Sequence, residues 1–213
     1  MSKYGLKVFN GKNAEYLSTL ESFVFFKRIN NIKKGNYNTG IKETDDPPMV
    51  FSRCTSIQSV IPASISVIKK DGYWNITCQQ NGDVFFECYL FVRASYYNKV
   101  KSQKWGIQIF NNNQLLQVSG ARPLRTQSIT GFSNGRPIGN ELSVGIQCAS
   151  LCRVVGYYST PTSPYQHAVI EVGSCGSGTK IVPIRWQLTV LPGPSANSST
   201  DDVVQYIDIK HYQ

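Results

Sequence analysis

A short motif occurs twice in the chain, and this repeat constrains the fold more than any other feature of the sequence. Residues 3–10 and 104–111 align without a gap: four positions are identical, and three more exchange one aromatic or branched residue for another. The alignment continues as far as Ser18 and Ser119. An internal repeat indicates that the fold uses one structural unit twice.

Each copy of the repeat has the pattern of a β-hairpin. Side chains alternate between the two faces of a strand, and the residues of each copy follow that alternation. Asn10-Gly11 supplies turn residues that tolerate positive φ in the first copy, and Asn112-Asn113 takes this role in the second. The residues that define the repeated strands are Tyr4, Gly5, Phe9, Trp105, Gly106 and Phe110.

The rest of the chain consists of short apolar runs separated by turn residues, and no stretch shows sustained helical periodicity. The most regular hairpin pattern joins 74–78 to 84–92 through Asn81-Gly82, and a strand over 64–69 ends at an Asp71-Gly72 turn. Many short strands at a spacing of roughly 8–12 residues are typical of a sandwich or barrel. We therefore predict an all-β fold with an antiparallel β-sandwich architecture.

Both copies of the repeat, 3–19 and 104–120, fall within residues 1–125, which we expect to form a β domain. Residues 126–213 are also β-rich, and the sequence leaves open whether they belong to the same domain or form a second, packed one. The last predicted strand, 203–209, follows a connector rich in Pro, Ser and Asn. An unpaired strand is a template for another strand, so we expect this one to pair with a neighbouring subunit.

Two stretches rich in glycine or turn residues are predicted to be loops. Residues 30–48 form an exposed loop in this interpretation, and 173–178 form a glycine-rich turn. The second stretch resembles a phosphate-binding P-loop, but Thr179 precedes Lys180 where the motif requires the reverse order. A strand also follows where the motif requires a helix, so we do not expect nucleotide binding.

The composition fits a folded β protein with dispersed positive charge. Hydrophobic residues make up 41% of the chain and charged residues 16%, and the formal net charge is +9. The basic residues form only small clusters, which disfavours direct nucleic-acid binding; dispersed basic residues keep a surface solvated or suit an anionic partner such as lipopolysaccharide. No apolar run approaches the ~20 residues that a membrane-spanning helix needs, and no secretory signal is evident at the N-terminus.

The six cysteines are therefore expected to be thiols, because we expect the chain to fold in a cytosol. In the hairpin predicted around Asn81-Gly82, Cys78 and Cys88 would lie on opposite faces and could not form a disulfide. The cysteine spacings do not match a zinc site, and the two histidines, His167 and His211, are far apart in sequence. We predict a non-enzymatic protein with no catalytic residues, no cofactor and no bound metal.

Aromatic residues beside loops are the remaining candidates for a binding surface. Tyr157, Tyr158 and Tyr165 lie next to predicted loops, and tyrosine offers a rigid apolar ring with a polar group for contact with a glycan or a protein partner. The alternative is that these tyrosines are core or strand-face residues, and the sequence leaves both interpretations open.

The two copies of the motif, together with the segment between them, resemble a family of small virion proteins of tailed bacteriophages. Members of that family open with a Tyr-Gly-Leu-x-Val-Phe strand, carry a Trp/Cys-rich hairpin and then repeat the first strand. The resemblance covers residues 1–125; where the family has Phe-Asp-Ser after each hairpin, only the serine is present here, at Ser18 and Ser119. The matching residues of the middle segment are Trp74, Cys78, Gly82, Phe86, Cys88, Tyr89 and Phe91.

The resemblance implies a structural component of a phage tail or tail tip, located in the virion and assembled in the host cytoplasm. Its partners would be other virion proteins and further copies of itself. A second function class is a host-surface adhesin of the phage tail whose loops bind surface polysaccharide. The resemblance supplies no catalytic residues.

Overall fold

The computed structural model describes residues 7–10, 13–16, 22–55, 61–101, 108–111, 114–118, 120–130, 141–194, 199–200 and 203–213. Strands dominate this part of the chain, so the predicted all-β class is confirmed. The strands of the first half are β1 (Lys7–Asn10), β2 (Asn13–Tyr16), β3 (Phe23–Ile32), β4 (Gly35–Lys42), β5 (Met49–Cys54), β6 (Ala63–Lys70), β7 (Tyr73–Gln80) and β8 (Phe86–Arg93).

A short helix, α1 (Ala94–Val100), follows β8 and was not predicted. The chain ends in a 3-10 helix over Ile209–Tyr212. The strands between these helices are β9 (Gln108–Asn111), β10 (Gln114–Val118), β11 (Gln127–Thr130), β12 (Leu142–Ser143), β13 (Cys148–Leu151), β14 (Val154–Ser163), β15 (Gln166–Ser177), β16 (Lys180–Pro192), β17 (Ser199–Thr200) and β18 (Val203–Asp208).

The sequence repeat corresponds to a repeated hairpin. β1 pairs with β2, and β9 pairs with β10, both antiparallel. The two hairpins start at residues that differ by 101 (7 and 108), and their second strands start at the same separation (13 and 114). Asn10 pairs with Asn13, so its predicted place in the turn is wrong. Gly11, Asn112 and Asn113 lie outside the described residues, as do Tyr4, Gly5, Trp105 and Gly106.

The largest sheet forks at β5. One edge of β5 pairs with β8, which in turn pairs with β3. The other edge pairs with two strands in succession, with antiparallel β13 at Phe51 and Ser52 and with parallel β15 at Arg53 and Cys54. One branch continues from β13 to β18 and β11, and the other consists of β15 flanked by β14 and β16. Strands from both predicted parts of the chain therefore share one sheet.

A second sheet, with the order β4–β7–β6, covers one face of the large sheet and closes the main core. Its inner face carries alternate apolar residues such as Ile65 and Ile76, which pack against Leu90 and Val182 of the large sheet. The two sheets also meet edge to edge, because Ile61, just before β6, bridges to Ile184 of β16. This arrangement is the predicted sandwich, nearly closed into a barrel.

The opposite face of the large sheet holds an aromatic cluster that the C-terminal 3-10 helix covers. The rings of Phe91 and Tyr212 meet edge to face with centroids 4.9 Å apart. The Tyr212 hydroxyl donates to the carbonyl oxygen of Pro123 at 2.9 Å and accepts from the Arg125 N–H at 2.8 Å. β5 and β8 are thus buried on both faces, which explains their nearly continuous apolar sequence.

Several local predictions in the first half are wrong. The hairpin predicted from 74–78 and 84–92 does not form, since β7 belongs to the small sheet and β8 to the large one. Residues 30–48 are not a single loop, because β3 extends to Ile32 and β4 begins at Gly35.

The predicted turn at Asp71-Gly72 is confirmed: Lys70 pairs with Tyr73 across two residues with positive φ.

Two predictions in the second half are also wrong. The stretch 173–178 is not a turn, because β15 continues through Ser177 and only Gly178 and Thr179 separate it from β16. The last strand is not an unpaired edge, because β18 lies between β11 and β13 within the large sheet. It therefore does not offer an edge to a neighbouring subunit.

Two glycines within β15 are required by close packing at the fork. A Cβ atom on Gly176 would lie 2.1 Å from the backbone oxygen of Cys148. A Cβ atom on Gly173 would lie 3.0 Å from the Cγ1 atom of Ile184, a side-chain atom that can move, and 3.3 Å from the backbone oxygen of Arg153. The sequence pattern that suggested a turn therefore reflects the approach of neighbouring chain segments.

We expect Gly176→Ala to lower the free energy of unfolding by about 3 kcal/mol, because the added methyl group must displace backbone atoms. Gly173→Ala, the matched control, should cost less, because the Ile184 side chain can adjust. Urea unfolding followed by circular dichroism measures both values. Equal stabilities for Gly176→Ala and wild type would contradict the close approach.

Candidate functional site

The three candidate tyrosines lie on an arm formed by β14, β15 and β16. Tyr157 is in β14, with 46% of its surface exposed, and Tyr165 is in the turn between β14 and β15, with 81% exposed. Tyr158 pairs with Ile170, and its side chain lies outside the described part of the structure. The register places Tyr165 roughly 20 Å along the strands from Tyr157, so these two do not form one site.

Tyr157 belongs to a different group, a row of three side chains across the arm. It pairs directly with Glu171 of β15, which pairs directly with Trp186 of β16. Residues directly opposite each other in an antiparallel sheet share a face, with Cβ atoms about 5 Å apart. The row therefore presents two aromatic rings on either side of a carboxylate.

The carboxylate in this row is tied to the small sheet. The Ser64 hydroxyl of β6 donates to Glu171 Oε1 at 3.1 Å. Trp186 in turn lines a groove that runs along β4 and β7 and has a volume of about 520 Å³. The principal side chains lining this groove are Lys34, Asn36, Ile68, Thr77, Gln79 and Trp186.

The outer face of the small sheet, which adjoins this groove, is mostly polar and uncharged, with the charged Lys70 at one end. Strand alternation sends Ile65, Val67 and Ile76 inward, so the intervening residues face outward. Thr77 donates to the Asn36 Oδ1 atom at 2.6 Å, which leaves the Asn36 NH₂ group as the outward donor. Asn75 has its Cβ on this side but is buried, and its amide donates to the carbonyl oxygens of Lys70 and Tyr73. The other residues on this face are Asn36, Asn38, Ser64, Ser66, Ile68, Lys70, Tyr73, Thr77 and Gln79.

Sequence reasoning identified Tyr157 but missed Glu171, Trp186 and the polar face. By local pattern, Glu171 and Trp186 are ordinary strand residues. Nothing in the chain order indicates that Trp186 lies beside Asn36 and Thr77, which belong to the other sheet. Only the edge-to-edge contact of β6 with β16 brings them together.

Among the described residues, the repeat contributes no side chain to this row. Phe110 of β9 is 55% exposed, and β10 packs its Leu115 into a small core with Val24, Val92 and Ala94. Phe9 lies in β1, and its side chain is outside the described residues. The second hairpin is therefore a structural unit attached beside α1.

The outer part of β16 is a second unusual surface. Leu188, Val190 and Leu191 are between 42% and 49% exposed, and every residue from 187 to 192 is exposed. The inner edge of this segment pairs with β15. On the outer edge of β16, backbone contact with the small-sheet side ends at Arg185, whose N–H donates to the carbonyl oxygen of Ile61 at 2.9 Å. No described strand pairs with this edge over residues 187–192.

The cysteines form a buried group rather than a reactive site. None of the six forms a disulfide; five are buried, Cys152 is partly buried, and Cys88 and Cys175 are completely buried. A hydrogen bond with Cys152, together with burial, raises the pKa of Cys88 well above its usual range, and burial does the same for Cys175. Burial also raises the pKa of Cys78 to about 12. A nucleophilic cysteine needs a lowered pKa, so these thiols serve as small apolar core residues.

Two further kinds of feature are absent from the described residues. Among them, no group of three or more His, Cys, Asp or Glu residues could hold a metal ion. None of the helices in that part of the chain is long and apolar enough to cross a membrane.

Comparison of the chain with protein-family models, with curated proteins and with solved structures finds no match. The function must therefore be argued from the residues and their geometry.

We expect alkaline pH to destabilise the fold through the buried thiols. The pKa of Cys78 is higher in the folded chain than its ordinary value of 9.0, so its stabilising effect is complete below pH 9 and is lost as pH rises towards 12. One thiol contributes at most about 1.4 kcal/mol per pH unit in that window.

Urea unfolding of wild type and Cys78→Ala between pH 8 and 10.5 measures this effect. The free energy of unfolding should decline less steeply with pH in the variant, because one ionising group is removed from the unfolded chain. Identical slopes would show that the thiol is not protected in the folded protein.

Proposed function

We propose that the protein is a structural component of a tailed-phage virion, a tail or tail-tip subunit that acts through protein–protein assembly. The duplicated hairpin with its intervening Trp/Cys segment supports the family resemblance. Both hairpins form at equivalent positions of the two repeats, as a duplicated building unit requires.

The exposed edge of β16 is the observation that carries the assembly role. Residues 187–192 form a strand of about 20 Å whose outer edge pairs with none of the described strands. Such an edge is a template for another strand, and proteins normally protect it with charged residues. This segment contains no charged residue.

The partner that fits this edge best is a second copy of the chain. The net charge of +9 makes most of the surface repel another copy, whereas the segment 187–192 is neutral. Antiparallel pairing of two identical segments around Thr189 and Val190 would place Leu188 of one copy opposite Leu191 of the other. Apolar residues meet in that register, and no like charges are brought together.

A second candidate function is recognition of a host-surface polysaccharide. The row of Tyr157, Glu171 and Trp186 beside the polar groove favours it. This row lies on one face of the arm, whereas the proposed pairing uses the edge. The two functions are therefore compatible in one subunit.

The virion assignment is tested by mass spectrometry of purified virions, together with electron microscopy using gold-labelled antibodies. We expect the chain among the virion proteins, with label at the tail or tail tip. Absence of the chain from the particle would overturn the proposed function.

We expect Val190→Lys to weaken self-association of the purified protein at least tenfold, because a charged residue would replace an apolar one at the centre of the paired edge, opposite Thr189 of the other copy. Val154→Lys is the matched control: Val154 is 41% exposed, compared with 42% for Val190, and pairs with Gly173 inside the sheet. Light scattering coupled to size-exclusion chromatography over a range of concentrations gives the association constant. A monomeric wild type, or an equal effect of both substitutions, would contradict pairing through β16.

A further inference from the structure

We infer that the groove beside Trp186 is a binding site for a neutral, hydroxyl-rich glycan. The site consists of the row Tyr157–Glu171–Trp186 on the arm and the polar outer face of the small sheet. These residues and this class of sugar would account for the recognition of a host-surface polysaccharide. It depends on that second candidate function and not on self-association through β16.

The aromatic part of the site supplies stacking surfaces. Glu171 separates Tyr157 and Trp186 in the row, so their Cβ atoms are about 10 Å apart. That separation is about twice the length of one sugar ring, so the two aromatic rings could engage neighbouring residues of one glycan chain. The C–H face of a pyranose is apolar and packs on an aromatic ring, whose polar atom stays available at the edge.

The polar part of the site supplies hydrogen bonds of both kinds. Glu171, held by Ser64, accepts from sugar hydroxyls through its carboxylate. Asn36 offers its NH₂ group as a donor, and the exposed Gln79 carries an amide that both donates and accepts. A glycan hydroxyl is itself a donor and an acceptor, so it matches this mixture better than an apolar peptide would.

The charge of the lining favours a neutral sugar. The outward residues of β4, β6 and β7 within 36–38, 64–68 and 75–79 include no charged side chain. The carboxylate of Glu171 opposes an acidic sugar close to the row. Lys34, which also lines the groove, precedes β4, and β7 lies between β4 and the strand that carries Ser64. An anionic polysaccharide would instead be drawn to the dispersed lysines elsewhere on the surface, and salt would weaken that binding.

The site is tested with a glycan array that carries neutral hexose oligosaccharides and uronic-acid oligosaccharides, probed at 0.15 M and 0.5 M NaCl. The neutral oligosaccharide with the strongest signal is then titrated by calorimetry against wild type and three variants. These variants are Trp186→Leu, Tyr157→Ala and Tyr165→Ala. Circular dichroism and thermal unfolding show whether each variant is folded.

We expect salt-resistant binding to neutral oligosaccharides and about tenfold weaker binding for Trp186→Leu and Tyr157→Ala. Tyr165→Ala is the matched control, since it removes an even more exposed tyrosine of the same arm that lies outside the row. If Trp186→Leu does not fold, Tyr157→Ala alone decides, because Tyr157 is half exposed.

Three results would overturn the inference. They are no binding to any neutral oligosaccharide, binding only to uronic-acid sugars that is lost at 0.5 M NaCl, and equal affinity of Tyr157→Ala and wild type.

Because Val190 lies on the face of the arm opposite to Trp186, Val190→Lys should retain glycan binding. Failure of the glycan site and failure of self-association are therefore distinguished by separate variants and separate measurements.

Discussion

The close approach of two strands at one edge of β5 is the constraint on which the rest of the structure depends. β13 and β15 both pair with this edge, and Gly176 of β15 lies so near the backbone of Cys148 that a methyl group does not fit. The neighbouring contacts are also made by small residues: the hydroxyl oxygens of Ser150 and Ser174 are 2.6 Å apart, and both residues are buried. Larger side chains would force the two strands apart and remove the fork.

The fork determines where the functional surfaces lie. One branch, β13–β18–β11, packs against the aromatic cluster, and β18 lies inside this branch between β13 and β11. The other branch, β14–β15–β16, extends beyond the small sheet. The outer half of β16, residues 187–192, is therefore exposed to solvent. Ile184 marks the transition, because it is still within the main core, whereas Trp186 lines the open groove. The arm is therefore a direct result of how β15 leaves β5.

The sequence predicts the strands of this fold much better than their partners. Alternation and turn chemistry identify the repeated hairpins and the Asp71-Gly72 turn, since both are determined by neighbouring residues. Asn81-Gly82 carries an equally good turn signal, yet the chain there passes from the small sheet to the large one. The two turns also differ in the backbone, because Asp71 and Gly72 both have positive φ, whereas at Asn81-Gly82 only Gly82 does. The dipeptide alone does not show this difference, which follows from the burial of β8 on both faces.

The misread glycines and the missed tryptophan have a related cause. Gly173 and Gly176 suggest a turn because glycine is common in turns. Here their missing side chains leave room for Ile184 beside Gly173 and for the backbone of Cys148 beside Gly176. Trp186 has the pattern of a strand residue, and its proximity to Asn36 depends on the meeting of β6 and β16. Both features arise from contacts between elements, which a single sequence does not display.

The two proposed activities reinforce each other geometrically. Opposite residues of an antiparallel pair share a face, so two arms joined through 187–192 would present their Trp186 rows on the same side of a continuous sheet. The rows would be separated by roughly 20 Å along the strands, a distance set by the length of the paired segment. A single open groove binds a sugar weakly, but two grooves on one rigid sheet bind one polysaccharide with a high effective concentration. Self-association through β16 would thus raise the avidity of the subunit for a host-surface glycan without adding a contact to either groove.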